Sequence, residues 1–365
     1  MNPELLHIDT GESFRGGQRQ LMQLIYHLNQ AGIQQALAVP GASPLFDRLN
    51  GIPKIKLWNN NFARHFFPGR LIDFIHNNPV NIIHAHDSEA HSIGITLKKA
   101  CPHLKLIVSR RVVFPPSSSL SSRFKYRRHV DKYIAVSHAA SDVLARHGID
   151  QSKITTIHSA IDIDGIQNIE PDATVINPIL ERFPRLIATA GALTSEKDFP
   201  TAIQTIASLR VKFPDVALVV LGEGPERPAL ESLISGQGIK NAFLLGHHEP
   251  MAPILKLCRA FLLTSTSEGL NNSVIEATAC GLPAVVSNVG GIPEIIDNGV
   301  NGYLCPPGDT SSFATALTSL LTDEELYSTM SENAVRLAGH FNMAELCRKT
   351  VDVYNSVLVS NGIRV

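Results

Sequence analysis

Apolar residues along this chain fall into short continuous runs, separated by polar turns and by stretches of helical spacing. Runs at 5–9, 35–39, 80–87, 106–111, 132–137 and 154–158 lie in the first half, and runs at 186–191, 216–221, 243–246, 260–264 and 284–287 in the second. Runs of this length, rich in Val, Ile and Leu, predict strands buried on both faces, as in a parallel sheet. An amphipathic stretch ending near residue 29 and a helical pattern from about residue 322 onward supply helices between and after them. Strand, polar turn and helix alternate, which predicts an α/β fold of doubly wound parallel sheets. At 365 residues the chain is long enough for two cores. Prolines 171, 178 and 184 and sparse apolar clusters mark 163–183 as a linker, so the expected domains are 1–165 and 166–340.

The stretch 260–287 is the most informative. An apolar run, Ala260-Phe261-Leu262-Leu263, leads to Ser265-Thr266-Ser267-Glu268-Gly269-Leu270-Asn271-Asn272, then to a short helix ending at Gly281-Leu282-Pro283, then to another apolar run. Ligands of such sheets bind beyond the carboxyl ends of the strands. Glu268 sits at that position and Glu276 follows on the helix. Two carboxylates with helix-start amides between them suit a ligand carrying hydroxyls and phosphates, since carboxylates accept from hydroxyls and N–H groups donate to phosphate. A plainer reading stays open: Ser273 and Glu276 fit the S-x-x-E capping box, and Glu268 fits a solvated loop acid.

The wording Glu268-Gly269-Leu270…Glu276-Ala277…Gly281-Leu282-Pro283, then Gly290-Gly291-Ile292-Pro293-Glu294 and Asn301-Gly302-Tyr303-Leu304, resembles the signature of retaining glycosyltransferases of family 4. That resemblance implies the GT-B fold, two Rossmann-like domains facing across a cleft, with the last segment, 341–365, returning as a helix to the first domain. It implies that Glu268 contacts the donor sugar and Glu276 holds the ribose of the nucleotide. The turn amides of Gly269, Leu270 and Asn271 would then lie near sugar and diphosphate. The Gly16-Gly17 pair, between the first strand and its helix, is similar to the family's glycine loop facing the diphosphate and acceptor. The His84-Ala85-His86-Asp87 block resembles the strand end from which a histidine, here His86, reaches the sugar. Relatives carry Arg at the place of Ala192 and Lys at the place of Lys197, both gripping donor phosphates. Here the Lys is present and the Arg is absent, which removes a bidentate phosphate contact.

The H-x-H pair His84 and His86 points to one strand face and also invites a metal reading, but no second ligand cluster accompanies it in the sequence. The resemblance implies chemistry without a bound metal or cofactor, the nucleotide-sugar being a substrate, UDP-linked by default with GDP an alternative. The expected partners are that donor and a glycan or glycolipid acceptor of lipopolysaccharide or a related surface glycan, with no nucleic acid. A glycosidase, a nucleotide-sugar epimerase and a non-catalytic binding protein are the rival readings, the last favoured by Ala192.

Charge adds one feature. Residues 1–165 hold 19 Lys and Arg against 12 Asp and Glu, a net +7, and the remainder is −8. A basic half, with Arg123, Lys125, Arg127 and Arg128 in one run, suggests an anionic partner such as a membrane leaflet, or simply attraction between halves. Five scattered cysteines without C-x-x-C spacing suit a reducing compartment, and Met1-Asn2-Pro3-Glu4 lacks a charged leader. The expected location is cytoplasmic, peripheral to the inner face of the membrane.

Overall fold

The computed structural model describes residues 4–58, 67–117 and 119–359, apart from the side chains of Phe67, Leu120, Ser121, Arg123 and Val359. Thirteen strands are described. Seven lie in the first half: β1 (Leu5–Ile8), β2 (Gln35–Val39), β3 (Lys54–Lys56), β4 (Ile82–Ala85), β5 (Lys105–Arg110), β6 (Lys132–Ala135) and β7 (Ile154–Thr156). Six follow: β8 (Arg185–Ala190), β9 (Val216–Leu221), β10 (Ala242–Gly246), β11 (Ala260–Leu263), β12 (Ala284–Ser287) and β13 (Gly302–Cys305). The first sheet has the order β3-β2-β1-β4-β5-β6-β7 and the second β10-β9-β8-β11-β12-β13, with parallel pairing in both. In each, the order reverses beside the first strand, between β1 and β4 and between β8 and β11. Such a reversal opens the crevice in which doubly wound sheets bind ligands.

The chain forms two units, one of Met1–Ala160 with Met343–Val365, the other of Ile161–Asn342. In the second, Ala217, Val219 and Leu221 of β9 pack on one face with Phe261, Val274 and Ile275, while Leu218 and Val220 pack on the other with Ile203, Ile206 and Leu317. Both faces are covered, which is why these strands read as unbroken apolar runs. In the first unit, helix Met343–Val359 lays Leu346, Val353, Tyr354 and Leu358 into a core with Leu5, Leu28, Ile82 and Ile107.

The linker reading of 163–183 is corrected by the structure. Helices Ile163–Asn168 and Asn177–Leu180 bury Ile163, Ile176 and Ile179, together with Phe183, in the second unit's core. Pro178 opens a helix there, where its missing N–H costs nothing. The apolar residues 176, 179 and 183 share a helical face, a signal that the prolines masked.

Candidate functional site

In the second unit, the loops leaving β8 and β11 meet at the point where strand order reverses. Thr264, just past β11, donates its hydroxyl to the carbonyls of Lys197 (3.2 Å) and Asp198 (2.8 Å). Thr266 N–H donates to Glu196 O at 2.8 Å. These bonds tie the two loops together and place Lys197 beside Glu268, 71 positions apart in sequence. Asp198 itself holds a left-handed backbone (φ 47°), a conformation that Asp tolerates better than most residues.

Glu268 is buried (9% exposed), and its Oε1 collects three donors: Lys197 Nζ at 2.6 Å, Ser265 Oγ at 2.7 Å and Asn271 Nδ2 at 2.9 Å. Among the described residues no donor is directed to Oε2, so that oxygen keeps its full accepting capacity. Lys197 gives one of its three N–H groups to Glu268 and keeps two for a further acceptor. Gly290 presses against the same loop. A Cβ built there would fall 1.8 Å from Glu268 O, and its φ of +53° suits glycine. The Gly290-Gly291 pair is therefore needed to hold the Glu268 backbone, and Gly291 N–H donates to Glu268 O at 3.3 Å.

Helix Asn272–Ala279 begins on Asn271, whose Oδ1 accepts from the amides of Ser273 (2.9 Å) and Val274 (3.2 Å). The capping-box reading of Ser273 and Glu276 is thereby corrected, since Ser273 lies inside the helix and another residue caps it. The side chain of Asn271 is spent on the helix and on Glu268. Gly269 and Leu270 bridge Glu268 to that cap, and Leu270 packs against the unit's core. Glu276 is 3% exposed on the helix, so it is not a solvated acid. Burial first, and then the Glu276 carboxylate one turn earlier, push the Cys280 thiol up to about 12. Ala192 stands in the loop after β8.

In the first unit a row of histidines crosses the reversal between β1 and β4. His7 on β1 lies opposite His84 on β4, with His86 just beyond. Their hydrogen bonds fix the proton positions. Arg111 can only donate, so His86 Nδ1, 3.0 Å from Arg111 Nη2, accepts. Neutral His86 then carries its hydrogen on Nε2 and donates to His7 Nδ1 at 2.9 Å. His7 in turn donates from Nε2 to Gln35 Oε1 at 3.1 Å, and Gln35 donates to Ile25 O at 2.7 Å. The chain closes only if both imidazoles are neutral. Burial agrees, lowering His7 to about 3 and His84 and His86 well below the usual histidine range.

Arg111 also donates from Nη1 to Gly17 O at 2.7 Å, which fastens the glycine loop to the histidine row. Gly16 and Gly17 open helix Gly16–Gln30, and Gln18 reaches back to Asp9 Oδ1 at 3.1 Å and to the Arg15 amide. His84 bonds Tyr354 Oη and Ser109 Oγ, each at 2.8 Å, and is a satisfied core imidazole. One ring nitrogen from each of His7, His84 and His86 lies within 4.8 Å of the others, a third ligand for the H-x-H pair, yet each of the six nitrogens has a hydrogen-bond partner. Asp87 caps helix Ser88–Ala100, and Ser137 caps helix His138–Arg146.

Sequence reasoning missed Arg111, Ser265 and His7. Arg111 was one charge among several at the end of a run, and His7 was a lone polar residue inside a strand. Of the basic run, Arg128 lies over the Phe124 ring at 4.8 Å and Arg127 donates to His147 O at 3.3 Å, whereas the Arg123 side chain lies outside the described residues. No described helix is long and apolar enough to cross a membrane.

Both units find counterparts among known proteins. Residues 14–164 match the family model for Glycosyltransferase Family 4, and residues 179–336 match that for glycosyl transferases group 1. The chain belongs to this glycosyltransferase family, and its fold is GT-B. It is 34% identical over 215 residues to an N-acetyl-alpha-D-glucosaminyl L-malate synthase of Bacillus anthracis, covering 52% of this chain and 56% of that protein. To a lipopolysaccharide core biosynthesis glycosyltransferase of Rhizobium meliloti it is 28% identical over 177 residues, covering 48% and 50%. The chain spans about half the length of the curated relatives it matches. Anabaena HepE, solved in complex with UDP-glucose, shares the fold with a TM-score of 0.83 at 18% identity, over 96% of this chain and 99% of that one.

Proposed function

We propose that the protein transfers a sugar, with retention of anomeric configuration, from a nucleoside diphosphate donor to a glycan or glycolipid acceptor. The observation that carries this is the Glu268 cluster at the switch point of the second sheet. Oε1 is held by three donors, Oε2 is left to accept a sugar hydroxyl, and Lys197 keeps two N–H groups for phosphate. Glu276 would hold the ribose. Charge grows on the departing diphosphate as the glycosidic bond breaks, so Lys197 and the loop amides stabilise the transition state more than the ground state. The leaving phosphate would take the acceptor's proton on the same face of the sugar, and no metal is required for that step. In the first unit, the neutral His86 relay holds Arg111 against the Gly17 loop, and His86 would act through Arg111.

A UDP donor and a lipopolysaccharide or undecaprenol-linked acceptor are the specific forms of this reading. They are supported by relatives such as the Rhizobium enzyme and the UDP-Gal:alpha-D-GlcNAc-diphosphoundecaprenol alpha-1,3-galactosyltransferase of Escherichia coli. A lipid-borne acceptor would bring the protein to an anionic membrane surface. The test is nucleoside diphosphate release from UDP-, GDP- and ADP-sugars, with and without deacylated core oligosaccharides and in EDTA. Acceptor-dependent release in EDTA, with an α-linked product from an α-linked donor, supports the reading. Acceptor-independent interconversion of the donor sugar would make the protein an epimerase, and binding without turnover a non-catalytic receptor.

A further inference from the structure

Two consecutive arginines leave the carboxyl end of β5 for different neighbours, as successive residues of an extended segment do. Arg111 goes to Gly17 and His86. Arg110 goes the other way, donating to Tyr126 Oη at 3.2 Å and to the carbonyl of Phe114. On that side lies a cavity of about 460 Å³, lined chiefly by Ser88, Arg110, Phe114, Pro115, Lys125 and Tyr126, all of the first unit. Its volume is in the range that takes a small polar ligand, and it sits at the carboxyl ends of the strands.

Its charge is unbalanced. Lys125 Nζ donates to the Ser88 carbonyl at 2.6 Å and the Ser88 hydroxyl at 3.1 Å, so among the described residues both cations are bonded to neutral groups. The Asp87 charge offsets part of this at Lys125, but its oxygens accept from Thr10 N (2.5 Å), Thr10 Oγ1 (2.8 Å) and the amides of Glu89 and Ala90 (2.9 Å each), and none of these bonds goes to Arg110 or Lys125, so the pair keeps a net positive charge. Arg110 Nε is buried with no acceptor among the described residues, and an unmet donor on a buried cation is costly. An anion brought into the cavity offsets the charge of Arg110 and Lys125 and accepts from the N–H groups that their neutral partners leave over. Phe114, 54% exposed at the rim, and the adjoining prolines offer an apolar surface for a sugar ring.

We propose that this cavity binds a phosphate group carried by the acceptor, gripped by Arg110 and Lys125 one residue away from the Arg111–Gly17 contact. The inference rests on the transferase reading above, but its test does not depend on turnover. Calorimetric titration with glucose 6-phosphate and with inorganic phosphate is carried out on wild type, Arg110→Gln and Lys125→Gln, each also titrated with UDP and checked for its unfolding midpoint. The expected result is saturable glucose 6-phosphate binding, weakened at least tenfold by either substitution while UDP affinity stays within twofold. Co-sedimentation with phosphatidylglycerol and phosphatidylcholine vesicles identifies the source: phosphatidylglycerol binding that both variants lose makes the phosphate a lipid headgroup, and indifference to vesicles makes it a soluble glycosyl phosphate. Equal glucose 6-phosphate affinity in all three proteins would overturn the proposal. So would no saturation by about 10 mM in a wild type that binds UDP. A wild type that binds glucose 6-phosphate but no nucleotide would instead remove the donor-site reading and leave the cavity standing.

Discussion

At the scale of single residues, Glu268 is the point on which the second unit's chemistry turns, and its neighbours make separable predictions. Lys197→Met removes the cation paired with the Glu268 carboxylate, which is 9% exposed. Stability should fall by on the order of 2–4 kcal/mol, because the charge stays buried while its partner is lost. Turnover should fall further, by about 10²–10³-fold at saturating donor, because the diphosphate gains charge in the transition state. Glu268→Gln keeps an oxygen for Ser265 and Asn271 and should cost less stability than Lys197→Met while lowering turnover as much. Urea unfolding beside steady-state kinetics checks both, and unchanged turnover in either variant removes that residue from the mechanism. Glu268 was legible because it follows an apolar run at a strand end. Its bond to Lys197 was not, since the pairing of β8 with β11 and the hydrogen bonds of Thr264 and Thr266 bring the two loops together. The same holds for Arg111, whose meaning lies in His86 and Gly17 rather than in its neighbours in sequence.

At the scale of elements, the interior strands were readable because burial on both faces leaves an unbroken apolar run. The two strands not foreseen, β3 and β13, both lie at sheet edges, where Lys54-Ile55-Lys56 and Gly302-Tyr303-Leu304-Cys305 carry polar or small residues. The turn into helix Asn272–Ala279 predicts a double effect for Asn271→Ala. Loss of the cap costs about 1 kcal/mol, and loss of the third donor to Glu268 adds a drop in turnover that a cap alone would not give. Glu276→Gln, buried on the same helix, should weaken nucleotide binding with little change in the unfolding midpoint. The β1 and β4 histidine row sets a pH dependence. His7, His84 and His86, and His91 packed edge-to-face on Tyr126, are held neutral by burial, with His7 and His91 near 3. The unfolded chain binds protons at these sites below about 6.5, and the folded chain only far lower. Stability is therefore fully present above pH 6.5 and is lost as pH falls from about 6.5 toward 3. Each site contributes up to about 1.4 kcal/mol per pH unit. Urea midpoints between pH 7 and 4 should show this slope, and His91→Phe should reduce it by one proton. A flat profile would mean that these imidazoles charge in the folded state and that the Gln35–His7–His86–Arg111 chain is not closed.

At the scale of the whole molecule, two doubly wound sheets each present a switch point, and each switch point carries polar residues beyond the ends of its apolar strands. The charge difference between the halves of the chain follows this division, with the Arg110, Lys125 cavity in the basic half. The central claim is that the Glu268–Lys197 pair, with Glu276 on the helix that follows, serves a nucleoside diphosphate-sugar site. Its most direct test is a titration of UDP, GDP, ADP and CMP against wild type and Glu276→Gln, read by thermal unfolding and calorimetry in EDTA. The account predicts that one nucleoside diphosphate, UDP by preference, stabilises wild type by roughly 2.7 kcal/mol at 100 times its dissociation constant. It predicts that Glu276→Gln loses most of that effect at an unchanged midpoint without ligand. If no nucleotide shifts the wild type, or if Glu276→Gln binds as tightly as wild type, the account of this site is contradicted.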